Sequence, residues 1–267
     1  MVAFLIATKY WAERAQKKKW NTWHPRTLLK DKVFVANVDN NTTMKNESES
    51  AIIESWGKNV EPWIRAIRNN EIESRILVTN KAVVDVVLDL APRKVLDIGC
   101  GEGWLVRVLS GNGFDVLGID AVPELIAAAT GYGAGRYRTL AYSDLSVSAI
   151  GEQFDVLVCN FSLFGHESVV SLFQSAAPLL NSGGAFVVQT LHPANAGNED
   201  ETGDGWRKGS WEGFSSDFRD AVPWYFRTID SWKSLFAASG FALTEMVEPV
   251  NPETGLPVSI VFVGRVV

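Results

Sequence analysis

From residue 94 to residue 191, short apolar runs take turns with stretches of helical periodicity. The runs lie at 94–98, 114–119, 136–141, 155–160 and 185–191, and the spacing predicts helices at about 103–110, 123–130 and 167–180. Strands that are apolar along nearly their whole length have both faces buried, and helical crossovers supply the cover. The pattern therefore predicts a doubly wound α/β fold on a mostly parallel sheet, with helices on both faces. A further helix at 229–239 ends at Gly240. Two apolar runs follow at 242–247 and 258–266, joined by the turn-rich segment NPETGLP. They add a C-terminal antiparallel hairpin and bring the expected sheet to seven strands.

Residues 50–68 and 72–90 carry apolar positions at helical spacing, and Pro92 ends the second stretch. Residues 36–50 are polar and read as linker. The chain thus divides into an N-terminal extension and linker at 1–46 and a main domain at 47–267, whose N-terminal helices occupy 47–91. Residues 1–43 hold eight Lys and Arg against three acids, net +5, which leaves −11 of the overall −6 to the rest of the chain. So acidic a body repels a phosphate backbone and argues against a nucleic-acid partner. The apolar residues 1–6 precede the basic cluster Lys17, Lys18 and Lys19, the reverse of the order in a secretory signal. No apolar run is long enough to span a bilayer. Cys100 and Cys159 each sit in a strand-like run and belong to no cluster with metal-ligand spacing. The expectation is a reduced, cytoplasmic protein without a metal.

Residues 192–227 have neither period and are rich in Gly, Asp and Trp. An irregular insert of this length in a compact domain is either functional or disordered, and Trp206, Trp211 and Trp224 favour a packed lid over a substrate.

The chemistry concentrates in residues 95–104, VLDIGCGEGW. A buried strand runs into three alternate glycines and then a helix. Glycines there let the backbone turn sharply and approach a ligand, and the helix start offers free N–H groups. Glycines alone also make a plain structural turn, but two details favour a ligand. The spacing Gly99-x-Gly101-x-Gly103 is not the G-x-G-x-x-G dinucleotide fingerprint, which counts against a nicotinamide cofactor. Asp97 lies inside the strand end, where a carboxylate is costly unless it meets a hydrogen-bond donor or a cation. Asp120 closes the second strand 23 residues later, near the spacing at which an acid meets a ribose. Asp144 follows the third strand and is placed to take an adenine amino hydrogen.

These segments resemble a known family. The run at 95–104, the GID ending at Asp120, the SDL around Asp144, the FDVLVCN ending at Asn160 and the LLNSGGAFVV strand resemble, in order, the motifs of class I S-adenosylmethionine-dependent methyltransferases. The resemblance covers about residues 72–191, and 228–267 looks like the family's closing helix and hairpin. It implies that Asp97, Gly99 and Gly101 line the methionine moiety of the donor, with Cys100 and Gly103 also in the cofactor-binding loop. It also implies that Asp120 holds the ribose hydroxyls, with Ala121 next to it in the cofactor site, that Asp144 with Leu145 borders the adenine, and that Asn160 and Phe161 lie beside the donor. Arg75 is a candidate for the donor carboxylate or an anionic acceptor, with an exposed helix arginine as the plainer reading. Base methyltransferases of the family carry an Asn-Pro-Pro-aromatic motif where this chain has Asn160-Phe161-Ser162-Leu163. The missing prolines count against a flipped-base substrate and leave a small molecule as the acceptor.

A sulfonium methyl group needs mainly alignment and exclusion of water, and a base only if the acceptor must lose a proton. His192, leaving the fifth strand, is the first candidate base, and His166, after the fourth strand, is the second. Trp224, Tyr225 and Arg227 are the candidate acceptor contacts. Trp56 and Trp63 stand at helical spacing that suits a core as well as a roof. Two other classes remain open: a non-catalytic relative that binds the donor, and an NAD(P)-dependent oxidoreductase, which the glycine spacing opposes.

Overall fold

The computed structural model describes the backbone of residues 39–193 and 203–267, with side chains from residue 49 onward in those ranges. Residues 1–38 of the expected extension and 194–202 of the expected lid lie outside the described residues. Seven strands form one sheet: β1 (Lys94–Ile98), β2 (Asp115–Asp120), β3 (Arg136–Thr139), β4 (Phe154–Asn160), β5 (Leu180–Leu191), β8 (Phe241–Val247) and β9 (Ser259–Val266). Their order is β3-β2-β1-β4-β5-β9-β8. Strands β1 to β5 are parallel, while β9 runs antiparallel to both β5 and β8. This is the expected sheet with its closing hairpin.

Eight helices are described: α1 (Asp39–Lys58), α2 (Val60–Arg68), α3 (Asn80–Asp89), α4 (Trp104–Gly111), α5 (Pro123–Thr130), α6 (Val147–Ile150), α7 (Glu167–Ala176) and α8 (Ile229–Ala238). None is long and apolar enough to cross a membrane among the described residues. Alternation along the strands separates two cores. Leu96, Ile98, Leu157, Phe186 and Val188 face Phe173 of α7 and Phe236 of α8. Val95, Val156, Val158 and Val187 face Val83 and Val87 of α3 and Leu105 and Leu109 of α4. The strand order reverses between β1 and β4, so the carboxyl ends of these strands open a crevice, the usual ligand position in open α/β sheets.

Several boundaries differ from the sequence reading. The polar stretch read as linker is helical from Asp39 onward, the start of α1. The single helix expected over 50–68 breaks at Asn59, a fully buried residue whose side chain takes the Arg219 N–H at 2.9 Å and donates to Arg219 O at 2.9 Å. Asn59 leaves the helical register and serves as the dock for the insert. The helix expected over 72–90 opens with a π-turn, Arg75–Thr79. α7 stops at Ala176, ahead of a 3₁₀ turn, and β5 begins five residues earlier than its apolar run. In the insert, β6 (Gly205–Arg207) and β7 (Trp224–Phe226) pair as a separate antiparallel ribbon.

Candidate functional site

The glycine loop between β1 and α4 is held by its backbone. Gly99, Gly101 and Gly103 have φ of +77°, +57° and +84°, values that side-chain-bearing residues rarely adopt. The N–H groups of Gly99 and Cys100 both donate to Ile119 O, at 2.8 and 2.9 Å, tying the loop to β2. A Cβ on Gly99 would lie 2.4 Å from the Ser162 Cβ, so close packing also demands glycine there. Asp120 then bridges two loops: Oδ2 accepts Gly101 N–H at 2.9 Å and Oδ1 accepts Val122 N–H at 2.9 Å. Burial raises the Asp120 pKa, and these backbone donors oppose the rise. A carboxylate has about four lone-pair directions, so acceptor capacity remains for ligand hydroxyls.

Asp97 sits below this loop, 2% exposed, and no hydrogen bond reaches its carboxyl among the described residues. Burial pushes its pKa up to about 8; nearby Asp120 adds to the rise and Arg75 opposes it. A buried carboxyl without a hydrogen bond is expensive, and a second carboxyl nearby makes the spot receptive to positive charge. Glu102, which the sequence reading passed over, is also buried, but it is paired. Arg107 reaches it at 2.7 and 2.8 Å and Arg68 at 3.3 Å. It braces the loop against α4 and α2 and does not line the cavity.

Above the loop lies a cavity of about 300 Å³. Its walls include Gly99, Cys100 and Gly101, then Ala121 and Val122, then Asn160, Phe161 and Ser162. Trp63, Arg75 and Trp104 close one side, and Glu49, Ile52, Ile53 and Trp56 of the N-terminal helices close another. Arg75 is 6% exposed and lies 5.6 Å from the Trp63 ring centre and 4.8 Å from that of Trp104. Burial lowers its pKa to about 10. It is not an exposed helix arginine. Trp56 and Trp63, 5.2 Å apart in an edge-to-face pair, are cavity wall as well as packing.

Other expected residues fall elsewhere. Ala141, Tyr142 and Ser143 line the cavity, whereas Asp144 beside them is exposed and Leu145 is buried in the core facing α7. The turn Tyr142–Asp144 is 3₁₀-helical, which points its members in different directions. Gly103 caps α4 behind the cavity wall. His192 is not on the wall; its Nε2 lies 2.7 Å from Glu248 Oε1, beside β8. β5 carries it past the crevice toward the antiparallel side of the sheet. His166 starts α7, its Nδ1 2.8 Å from Glu167 Oε1 and its ring 4.2 Å from that of Tyr225. Arg227 is buried and donates to Gly165 O at 3.0 Å and His166 O at 2.9 Å, so it clamps that loop and is not among the residues lining the cavity. Burial lowers its pKa to about 10.

Trp224 lines a side pocket of about 40 Å³ together with Ile52, Ser55, Trp56, Phe164 and Trp211. Ile52, Trp56 and Phe164 belong to both this pocket and the main cavity. None of the side-pocket residues is charged.

Residues 74–246 match the family described as "Methyltransferase domain". Among curated proteins, a ubiquinone biosynthesis O-methyltransferase of Xanthomonas oryzae pv. oryzae is 33% identical over 114 residues, 41% of this chain and 47% of that protein. One from Psychrobacter cryohalolentis is 31% identical over 138 residues, 48% of this chain and 54% of that protein. The chain thus matches about half the length of these relatives. A solved structure of a Burkholderia thailandensis 1,6-didemethyltoxoflavin-N1-methyltransferase superposes with a TM-score of 0.58 at 18% identity, covering 88% of this chain and 92% of that one. A putative S-adenosylmethionine dependent methyltransferase from Listeria monocytogenes gives 0.52 at 21% identity, over 66% and 90% of the two chains. At such identities the likeness is one of fold. Sheet order, glycine loop and the family match over most of the chain agree: this protein belongs to the class I S-adenosylmethionine-dependent methyltransferase family.

Proposed function

We propose that this protein binds S-adenosylmethionine in the cavity above the glycine loop and transfers its methyl group to an O, N or C atom of a small molecule. The observation that carries the reading is the arrangement of Asp97 and Asp120 under and beside that loop. A buried carboxyl that no hydrogen bond reaches among the described residues suits the positive charge of a sulfonium amino acid, and Asp120 keeps acceptor capacity for ribose hydroxyls. Gly99, Cys100 and Gly101 would border the methionine part, and Ala141 to Ser143 with Val122 the adenine. When bound, the donor supplies an already activated methyl group. The chain's own task is to orient donor and acceptor and to keep water out. Trp56, Trp63 and Phe164 do so by walling the cavity with apolar rings. His192, held by Glu248 away from the wall, is a positional residue in this reading, and no base is assigned.

The acidic body of the protein and the missing prolines after Asn160 favour a small acceptor over a nucleic acid. The names of the curated relatives point to oxygen as the first acceptor atom to test. Titration calorimetry against S-adenosylhomocysteine and NAD, followed by transfer of labelled methyl into small-molecule extracts, tests the proposal. Micromolar binding of S-adenosylhomocysteine alone is expected. Binding of NAD in its place would overturn the assignment, and binding without any transfer would leave a donor sensor.

A further inference from the structure

On the face of the sheet that packs against α3, three strands carry a polar side chain near their carboxyl ends where alternation calls for an apolar one. After Val95 on β1 comes Asp97, after Val156 and Val158 on β4 comes Asn160, and after Ala185 and Val187 on β5 comes Gln189. Asn160 and Gln189 are register partners across β4 and β5. Gln189 is 1% exposed, and its Nε2 donates to Thr79 O at 3.0 Å and to Asn160 Oδ1 at 2.9 Å. A backbone carbonyl only accepts, so Thr79 fixes which end of the Gln189 amide is nitrogen. Both of its protons are then committed, and Asn160 has to present its oxygen to the second. The backbone carbonyl of Gln189 accepts the Phe161 N–H at 2.9 Å, holding the turn just after Asn160, where Phe161 has φ +51°.

Asn160 lines the cavity, and its Nδ2 has no partner among the described residues. We infer that Gln189 is a positioning residue that locks Asn160 with its Nδ2–H groups toward the cavity, where they donate to an oxygen or ring-nitrogen lone pair of the bound ligand. The inference rests on the methyl-transfer reading of the same cavity. It makes the walls complementary: Asp120 offers lone pairs, and Asn160 offers hydrogens. Two ligand atoms have the required chemistry, the α-carboxylate of the donor and a lone pair on the acceptor.

The test is a double-mutant cycle of Asn160→Ala and Gln189→Leu with three readouts. These are calorimetry with S-adenosylhomocysteine, calorimetry with 5′-methylthioadenosine, which lacks the amino-acid part, and labelled methyl transfer to a pool of phenols and nitrogen heterocycles. Each single variant is expected to lose roughly tenfold in at least one readout, the size of one hydrogen bond. The double variant should fall no further than Asn160→Ala, because Gln189 acts through Asn160. Weaker S-adenosylhomocysteine with unchanged 5′-methylthioadenosine assigns the donor carboxylate. Reduced transfer with both affinities intact assigns the acceptor. Losses that simply add, or single variants that match wild type throughout, would overturn the inference. Because Gln189 is buried, Asn160→Asp provides a second reading: it keeps an oxygen for Gln189 but replaces the donating amide by a carboxylate. It should melt like wild type and lose the ligand, and unchanged binding and transfer in that variant would refute the role. Binding of S-adenosylhomocysteine by the wild type checks the methyl-transfer reading separately.

Discussion

Glu49 of α1 and Ser168 of α7 meet at 2.6 Å across 119 residues of sequence. The Glu49 carboxylate also accepts the N–H groups of His166 and Glu167, the latter at 2.9 Å. His166, at the N-cap of α7, makes no capping bond with its own side chain. Glu49 therefore supplies the cap from another helix and places a negative charge at the positive end of the helix dipole. The same contact pins α1 over the cavity.

Removing this cap is expected to cost about 1 kcal/mol. Glu49→Ala should accordingly melt about 2–4 °C below wild type, a shift readable by calorimetry. Removal of residues 1–38 keeps Asp39–Lys58 and Glu49 and should cause no such loss. Equal melting temperatures for Glu49→Ala and wild type would show that the cap is not used in solution.

Asp120→Ala should weaken S-adenosylhomocysteine by about 1.5–3 kcal/mol, or roughly tenfold to over a hundredfold, while the domain stays folded. Part of that loss is indirect, because Gly101 and Val122 lose their acceptor. Asp120→Asn keeps one oxygen and should lie between the two. A folded Asp120→Ala protein with wild-type affinity would remove Asp120 from the site.

Asp97 makes a pH-dependent prediction. Its pKa rises from the usual 3.8 to about 8 because of burial, with Asp120 adding and Arg75 subtracting. Between those values the folded protein holds a proton that the unfolded chain has released, so this group makes stability fall as pH rises from about 4 to 8. Asp97→Asn should flatten that slope in thermal melts of the ligand-free protein. A ligand ammonium group beside Asp97 favours the ionised form, so wild-type affinity for S-adenosylhomocysteine, whose positive charge is its α-ammonium, should rise between pH 6 and 8.5 and that of Asp97→Asn should not. Parallel melting profiles for the two proteins would contradict the assigned shift.

The sheet was readable because its central strands β1, β2, β4 and β5 are largely apolar on both faces, and the loop because glycine spacing is a backbone signal. Asp97 stood out as a charge inside a strand, and the same signal repeats at Asn160 and Gln189. Only its recurrence on one face of adjacent strands, visible once register is known, joins them. The π-turn at Arg75–Thr79 and the break at Asn59 were not readable, since tertiary partners decide both. His192 was misplaced for a related reason. Its position after β5 suggested the crevice, but β5 borders the antiparallel pair, and Glu248 draws the ring toward β8. Glu49 looked like one polar residue among many, because its partners lie more than a hundred residues away.

The side pocket separates two neighbouring aromatics of the insert. Trp224 and Trp211 line that pocket and not the main cavity, whereas Tyr225 lines neither and packs on His166. Ser55 and Trp211 spend their donors on the carbonyls of Asp220 and Arg219, so the pocket offers an ionic substituent neither charge nor a spare strong donor from these residues. At about 40 Å³ it holds a group of only a few heavy atoms, which suits a short apolar substituent of an acceptor lying against Trp56 and Phe164. Trp211→Ala and Trp224→Ala enlarge it and remove ring contacts, so each should raise the acceptor KM while sparing donor affinity. Tyr225→Ala should affect the acceptor less than either. Initial-rate kinetics on the first acceptor found, paired with S-adenosylhomocysteine calorimetry, reads both quantities. If the tryptophan variants fold normally and lose donor affinity as much as acceptor use, the side pocket is packing and not an acceptor subsite.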